Sequence, residues 1–242
     1  MNLAYYVESY EAHLRSLRQQ YGEARAMEII VGDHYEAMGA LEERVLLELG
    51  LQPKDTLVDV GCGTGRLASQ LAKRHLGRFI GIDILPELIE FARVRANRVD
   101  WEFGVAVEPP LPVANGMADW VTFFSVFTHL LEEHSYLYLA DAARMLKPKG
   151  KIIFSFLDFE VDDHWQHFAG MLSDRNPQRV LNRFLHRRAI EIWSRHLGLS
   201  VERIVGGDVR WIRPVAPLTD PSGGGTGESV AFGQSLAVLS KP

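Results

Sequence analysis

Three glycines, Gly61, Gly63 and Gly65, alternate within LVDVGCGTGRLASQL (Leu57–Leu71), between an apolar run and a run with helical spacing. A strand that ends in Gly-x-Gly-x-Gly and opens a helix gathers backbone N–H groups and the positive end of a helix dipole at one point. Glycine permits the tight turn and removes the Cβ that would keep a ligand away. The pattern predicts a nucleotide-type ligand outside the carboxyl ends of the strands. Asp83, 18 residues beyond Gly65, closes the next apolar run, RFIGID, where a carboxylate can accept hydrogen bonds from both ribose hydroxyls. The ligand is not a dinucleotide by this spacing, because the third glycine comes one place early for G-x-G-x-x-G. Neither is there the Gly-Lys-Ser/Thr of a P-loop.

The elements that must hold these residues follow from periodicity. Leu3, Val7, Tyr10, Leu14, Leu17 and Tyr21 form one apolar stripe at 4-3-4-3-4 spacing, a helix that packs on its own domain, lids a site or forms a dimer seam. A second helix is expected from about His34 to Leu49, before Gly50. TLVDVG reads as a buried strand and RLASQLAKRHLG as a helix ending at Gly77. RFIGIDI is a second strand, and PELIEFARVRAN a helix with Pro86 in its first turn. VDWEFG is a short third strand, ADWVTFFSVF a fourth and KIIFSFLD a fifth. The helix between the last two must end near Lys147, ahead of Pro148. Apolar strands alternating with helices imply a parallel sheet covered on both faces. Glu160–Arg188 breaks the rhythm with no clear strand. A helix from Arg188 to Leu197, the runs SVERIVGG and QSLAVLSK, and a flexible PSGGGTGE loop between those runs complete the chain.

The chain has 242 residues, 47% hydrophobic and 24% charged, with a net charge of −5. That balance suits one globular domain and argues against a general nucleic-acid binder. The single cysteine, Cys62, excludes an intramolecular disulfide and a cysteine-rich zinc cluster. The first twenty residues carry charges throughout and lack the apolar block of a signal peptide. No apolar run approaches the roughly 20 residues that span a bilayer. A cytoplasmic setting without membrane contact is the expectation.

VDVGCGTGRLA followed by GIDI resembles the first two motifs of the class I S-adenosylmethionine-dependent methyltransferases. The similarity continues through SVFTHL, ARMLKPKGKIIFSF and QSLAVLSK, from about Val31 to Lys241 with a gap at Glu160–Arg188, and its subtype is similar to the small-molecule methyltransferases. The resemblance implies an α/β, Rossmann-like, doubly wound sheet of seven strands. The sheet is mostly parallel with an antiparallel last strand near Leu236–Ser240 and helices on both faces. It implies one domain over residues 1–242, with an N-terminal helical segment 1–50 and a substrate-cover insertion at about 160–188. It implies S-adenosylmethionine as cofactor, leaving S-adenosylhomocysteine as product. Gly61, Gly63 and Gly65 would contact its amino-acid part, Asp59 would hold the turn and the amine, and Asp83 the ribose beside Ile84 at the adenine. Ser125, Val126 and Phe127 would lie under the methionine and sulfonium or, for Phe127, in the plain core. Tyr35 and Met38 are placed near the site or, for Met38, in the core of its helix. Many relatives place an Asp after the third strand against the adenine amino group. Here Gly104, Val105 and Ala106 stand there, so backbone groups of Val105 or Ala106 take that part, with Glu108 as an alternative. EPPLP lacks the sequence and the position of the motif that methylates amino groups of bases, which argues against DNA and RNA bases as acceptors.

The implied reaction is methyl transfer to a small molecule, more readily at oxygen than at nitrogen or carbon, by in-line displacement in which alignment supplies much of the rate. A hydroxyl acceptor needs a base, and histidine titrates in the right range. Of nine histidines, His129 in FTHL and His164 and His167 around Trp165 are the candidates, with Asp158 a further one. His75, His186 and His196 are assigned to surface helices and His134 to solvent. Asp162, Asp163, His164 and His167 lack a further metal ligand, so no metal is expected. Arg179, Arg183, Arg187, Arg188 and Arg195 form a charged outer face, or meet an anionic substrate or RNA. A homodimer through the N-terminal helix, an RNA or protein methyltransferase, and a module that binds the cofactor without transfer all stay open.

Overall fold

A computed structural model describes residues 3–176, 179–213 and 229–242; the PSGGGTGE segment lies outside the described residues. The chain opens with three helices, α1 (Ala4–Tyr21), α2 (Glu23–Ile29) and α3 (Tyr35–Glu48). The alternating part follows as β1 (Leu57–Val60), α4 (Arg66–Leu71), β2 (Phe79–Asp83), α5 (Pro86–Ala96), β3 (Glu102–Val105), β4 (Ala118–Phe123), α6 (Glu132–Met145) and β5 (Leu146–Asp158). It ends with α7 (Asp162–Met171), β6 (Phe184–Leu185), α8 (Arg187–His196), β7 (Ser200–Val205) and β8 (Ser235–Ser240).

The main sheet runs β3-β2-β1-β4-β5-β8-β7, and β6 adds two residues beside the end of β5. β8 is antiparallel to both neighbours, β5 and β7, while β1 to β5 pair in parallel. This is the doubly wound sheet with an antiparallel last strand that the sequence implies. Its strands are apolar on both sides because both sides are covered. Val58, Ile80, Val121 and Phe154 pack toward α6 and α8, in a cluster with Leu139, Ala142 and Ile190. Leu57, Phe79, Trp120 and Ile153 face the other way, toward Val45, Leu67 and Ala92 of α3, α4 and α5. Among the described residues no helix is long and apolar enough to cross a membrane.

Five expectations need correction. The helix after the glycine turn stops at Leu71 instead of Gly77. The chain then folds down against Asp55, where His75, buried and not at the surface, donates from Nε2 to the Asp55 carbonyl at 3.0 Å. A Cβ on Gly77 would lie 2.1 Å from that same oxygen. α2 was not expected. The 160–188 insertion contains α7 and β6, because Phe159, Trp165, Phe168 and Phe184 gather into an aromatic cluster that no local pattern reveals. His134 does not simply face solvent, since its Nδ1 accepts from the Tyr6 hydroxyl at 2.7 Å.

α3 packs tightly on α4, where a Cβ on Gly39 would lie 2.4 Å from the Arg66 carbonyl oxygen. Backbone cannot yield as a side chain can. Overpacking costs about 1–3 kcal/mol, against a gain of about 1 kcal/mol from replacing a helical glycine. Gly39→Ala is expected to lower stability by up to about 2 kcal/mol, read as a lower urea midpoint at unchanged slope.

Candidate active site

A cavity of about 600 Å³ opens at the carboxyl ends of the central strands. It sits where the strand order reverses between β1 and β4, the place at which open α/β sheets hold ligands. Its floor is Asp59 through Gly63 and Ile82 through Ile84, with Arg66 and Glu42 beside them. Ala106, Val107, Ser125 and Val126 form one wall, and Tyr6, Tyr10 and His13 of α1 roof it.

The glycine turn is shaped by the protein's own side chains. Gly61, Gly63 and Gly65 have φ of 73°, 55° and 83°, values that favour glycine. A Cβ on Gly61 would lie 2.3 Å from Val126 Cγ2, and one on Gly63 2.4 Å from Val31 Cγ1. Gly65 corrects its assignment: it does not line the cavity but caps α4, where a Cβ would lie 2.9 Å from Ala92 Cα of α5. The N–H groups of Gly61 and Cys62 both donate to the Ile82 carbonyl, at 2.7 and 3.0 Å. Asp83 completes the tie: its carboxylate accepts from the N–H of Gly63 at 2.8 Å, Ile84 at 2.7 Å and Leu85 at 3.3 Å. Burial raises its pKa, and these donors oppose the rise. Tyr35 stays outside the cavity and holds the turn from behind, donating to the Thr64 carbonyl at 2.8 Å. Met38 packs in the core with α4.

Asp59 is 3% exposed and accepts from the Thr122 hydroxyl at 2.7 Å. Burial pushes its pKa up to about 7. Ser125 holds a left-handed φ of 58°, uncommon for a residue with a Cβ, and is locked there as its N–H donates to Ser155 Oγ at 2.6 Å. Phe127 is core, not cavity wall: fully buried, its ring packs on Phe123 and Phe154, both at 4.8 Å between centroids. Val105 points outward, 46% exposed. Ala106 lines the cavity, but its N–H already donates to the Asp83 carbonyl at 3.0 Å. Glu108 is not among the lining residues.

The three candidate histidines separate. His129 lines the cavity, with Nδ1 donating to the Leu181 carbonyl at 2.6 Å. A carbonyl only accepts, so in the neutral ring the lone pair sits on Nε2. Burial holds its pKa below the ordinary 6.5. His164 lies away from the cavity; its Nδ1 accepts from the Asp158 N–H at 2.9 Å and its Nε2 donates to the Gly233 carbonyl at 2.8 Å, which leaves no base. His167 is exposed on α7, beside Phe184. Asp158 is committed to Arg187 at 2.7 Å.

Sequence reasoning missed His13, Tyr6, Arg66, Glu42 and Gln234 as lining residues. The 4-3 spacing of Tyr6, Tyr10 and His13 was a readable signal for one helix face. The Arg66–Glu42 pair spans 24 residues between two helices and left none.

Residues 58–154 match the model of a family described as Methyltransferase domain. A malonyl-[acyl-carrier protein] O-methyltransferase from Hahella chejuensis is 32% identical over 178 residues, 69% of this chain and 60% of that protein. A ribosomal protein L11 methyltransferase from Burkholderia mallei is 30% identical over 154 residues, 63% of this chain and 43% of that one. Magnesium protoporphyrin IX methyltransferase from Synechocystis PCC 6803 with bound SAH shares the fold at a TM-score of 0.64 and 18% identity, over 98% of each chain. The chain carries a methyltransferase domain over residues 58–154, and these likenesses support a class I S-adenosylmethionine-dependent methyltransferase. It spans less than two thirds of the two curated relatives, and the methyltransferase match is centred on the part that builds the cavity floor.

The raised Asp59 pKa has a stability consequence. The folded value of about 7 exceeds the unfolded 3.8, so this contribution is fully present below pH 3.8 and is lost as pH rises through 7. Asp59→Asn keeps the Thr122 hydrogen bond and removes the titration. Its melting temperature relative to the parent is expected to climb between pH 5 and pH 8 in ligand-free protein, by calorimetry.

Proposed function

We propose that the chain transfers a methyl group from S-adenosylmethionine to an oxygen of a small molecule, with His129 taking the acceptor's proton. The observation that carries this reading is that His129 shares one cavity with Asp59 and Asp83. The volume lies within the roughly 300–1,000 Å³ of small-ligand pockets. The residues present fit the cofactor: a buried carboxylate that wants a cation at Asp59, a glycine turn, and an apolar shelf of Ile82, Ile84 and Ala106 for a flat base. When bound there, the cofactor supplies an activated methyl group on a sulfonium. Asp59 would meet its amine. Asp83, with three backbone donors already in place, keeps the turn in the binding shape and has capacity left for a ribose hydroxyl.

The chain's own work is then alignment and one proton. Holding the acceptor in line can supply about 7–11 kcal/mol of barrier reduction. His129 is neutral at pH 7 and takes the proton on Nε2, and the Leu181 carbonyl stabilises the imidazolium through Nδ1–H. Residues 1–50 and about 160–188 serve as cover: Tyr6, Tyr10 and His13 come from the first, Asn176 and Arg179 from the second. That enclosure favours a small acceptor over a protein or RNA. The arginine cluster favours the same side, because Arg179, Arg187 and Arg188 are paired with Asp174, Asp158 and Glu191. The α1 stripe is spent mainly within its own chain and gives a dimer seam no support.

Methyl-labelled cofactor incubated with the protein and a cell extract should place label in the small-molecule fraction; label in protein or RNA instead would overturn the acceptor class. With the acceptor in hand, His129→Ala is expected to lower kcat by roughly a hundred- to ten-thousand-fold. The parent's kcat should fall on the acid side of a midpoint below pH 6.5 and stay flat above it, and the variant should lose that limb. His164→Ala should keep kcat while losing roughly 1–3 kcal/mol of stability from the two backbone groups left unpaired.

A further inference from the structure

The cavity is charged unevenly. Its carboxyl groups, Asp59, Asp83 and Glu42, all belong to the floor. Among the described lining residues the cover carries none, while the insertion brings Arg179 to it. The Arg179 guanidinium is loosely held. Its Nη1 donates to the Asp174 and Asn176 carbonyls, both at 3.3 Å, and its Nε lies 3.8 Å from Asp174 Oδ2. By contrast Arg187 meets Asp158 at 2.7 Å and Arg188 meets Glu191 at 2.6 Å. The Arg179 and Asp174 side chains are 39% and 43% exposed, and a long exposed pair of this kind contributes little. Arg179 Nη2 donates to no described group, which keeps N–H donors available to a ligand.

The backbone ties this cation to the base. Arg179 stands two residues before Leu181, whose carbonyl accepts from His129 Nδ1. Two residues span at most about 7 Å of chain. The Arg179 carbonyl is itself fixed by the Tyr5 hydroxyl at 2.8 Å. Base and cation thus border one cavity within the reach of a single small molecule. We propose that the acceptor is a small hydroxy acid: Arg179 holds its carboxylate, and its hydroxyl, a different oxygen, is the one methylated. This deepens the reading of His129 given above and rests on it. The hydroxyl oxygen gains the methyl as the carbon–sulfur bond breaks with its electron pair left on sulfur. The hydroxyl proton passes to His129 Nε2, and the carboxylate is unchanged. The arrangement selects by charge and shape. A planar carboxylate matches the forked guanidinium. An amine in its place would meet Arg179 and a newly cationic His129 with no acid on that side of the cavity.

Anion exchange of the labelled small-molecule products from a cell extract tests this. Label should be retained at pH 7 and released near pH 2, where a carboxylate of pKa about 4 is protonated and a phosphate or sulfate stays charged. Mild alkali should not release the label, since an ether survives where an ester is cleaved. Kinetics with the purified acceptor then address the residue. Arg179→Gln is expected to raise KM on the order of 10- to 100-fold with kcat within about threefold, the pattern of lost uniform binding. Arg179→Lys should recover part of that loss. Added salt should raise the parent's KM and leave that of Arg179→Gln nearly flat. Arg188→Gln, at an exposed position outside the cavity lining, should match the parent. S-Adenosylhomocysteine should bind parent and Arg179→Gln equally by calorimetry. Labelled products that are neutral or cationic at pH 7, still charged near pH 2, or cleaved by mild alkali would overturn the proposal while the transfer reading stands. An unchanged KM in Arg179→Gln would do the same. Label absent from the small-molecule fraction would sink the small-molecule reading itself, and the inference with it.

Discussion

The site depends on how one buried carboxylate is satisfied. Asp83 ends β2 inside the protein, where a charge without partners would be costly. Its oxygens take backbone N–H groups from Gly63 in the glycine turn and from its own following residues. That contact joins the end of β2 to the turn after β1 and fixes the floor on which the other groups stand. The turn can approach only because Gly61 and Gly63 carry no Cβ against Val126 and Val31. Sheet order, glycine placement and acid placement therefore act as one constraint.

The same constraint explains what could be read from the chain. Gly61, Gly63, Gly65 and Asp83 were visible because a tight turn and a strand-end acid leave residue types at fixed spacing. The parallel sheet was legible because apolar runs alternate with helices between Gly and Pro punctuation. His164 was not legible as a structural residue, because its partner is the Gly233 carbonyl, 69 residues away. Gly65 and Phe127 were assigned to the ligand by their motif, yet their neighbours are Ala92 and an aromatic core. A motif gives the residue type and leaves open which side of the backbone uses it.

Charge burial organises the floor. Asp59, Asp83 and Glu42 each show a pKa raised by burial, and Arg66 is the cation among them. In the ligand-free chain this is a store of unfavourable electrostatics, and a ligand with complementary charges relieves it. Sites of this kind give up stability for recognition.

The roof has a mechanical side. Tyr5 donates to the Arg179 carbonyl at 2.8 Å, and Leu131 N–H donates to the Tyr6 hydroxyl at 3.0 Å. Adjacent residues of one helix thus grip the insertion and the start of α6 together. Each such bond contributes only about 0.5–1.5 kcal/mol net, so neither latch is strong alone. Both sit on α1, one residue apart. An opening of the cavity by displacement of α1 would therefore break both contacts in one movement.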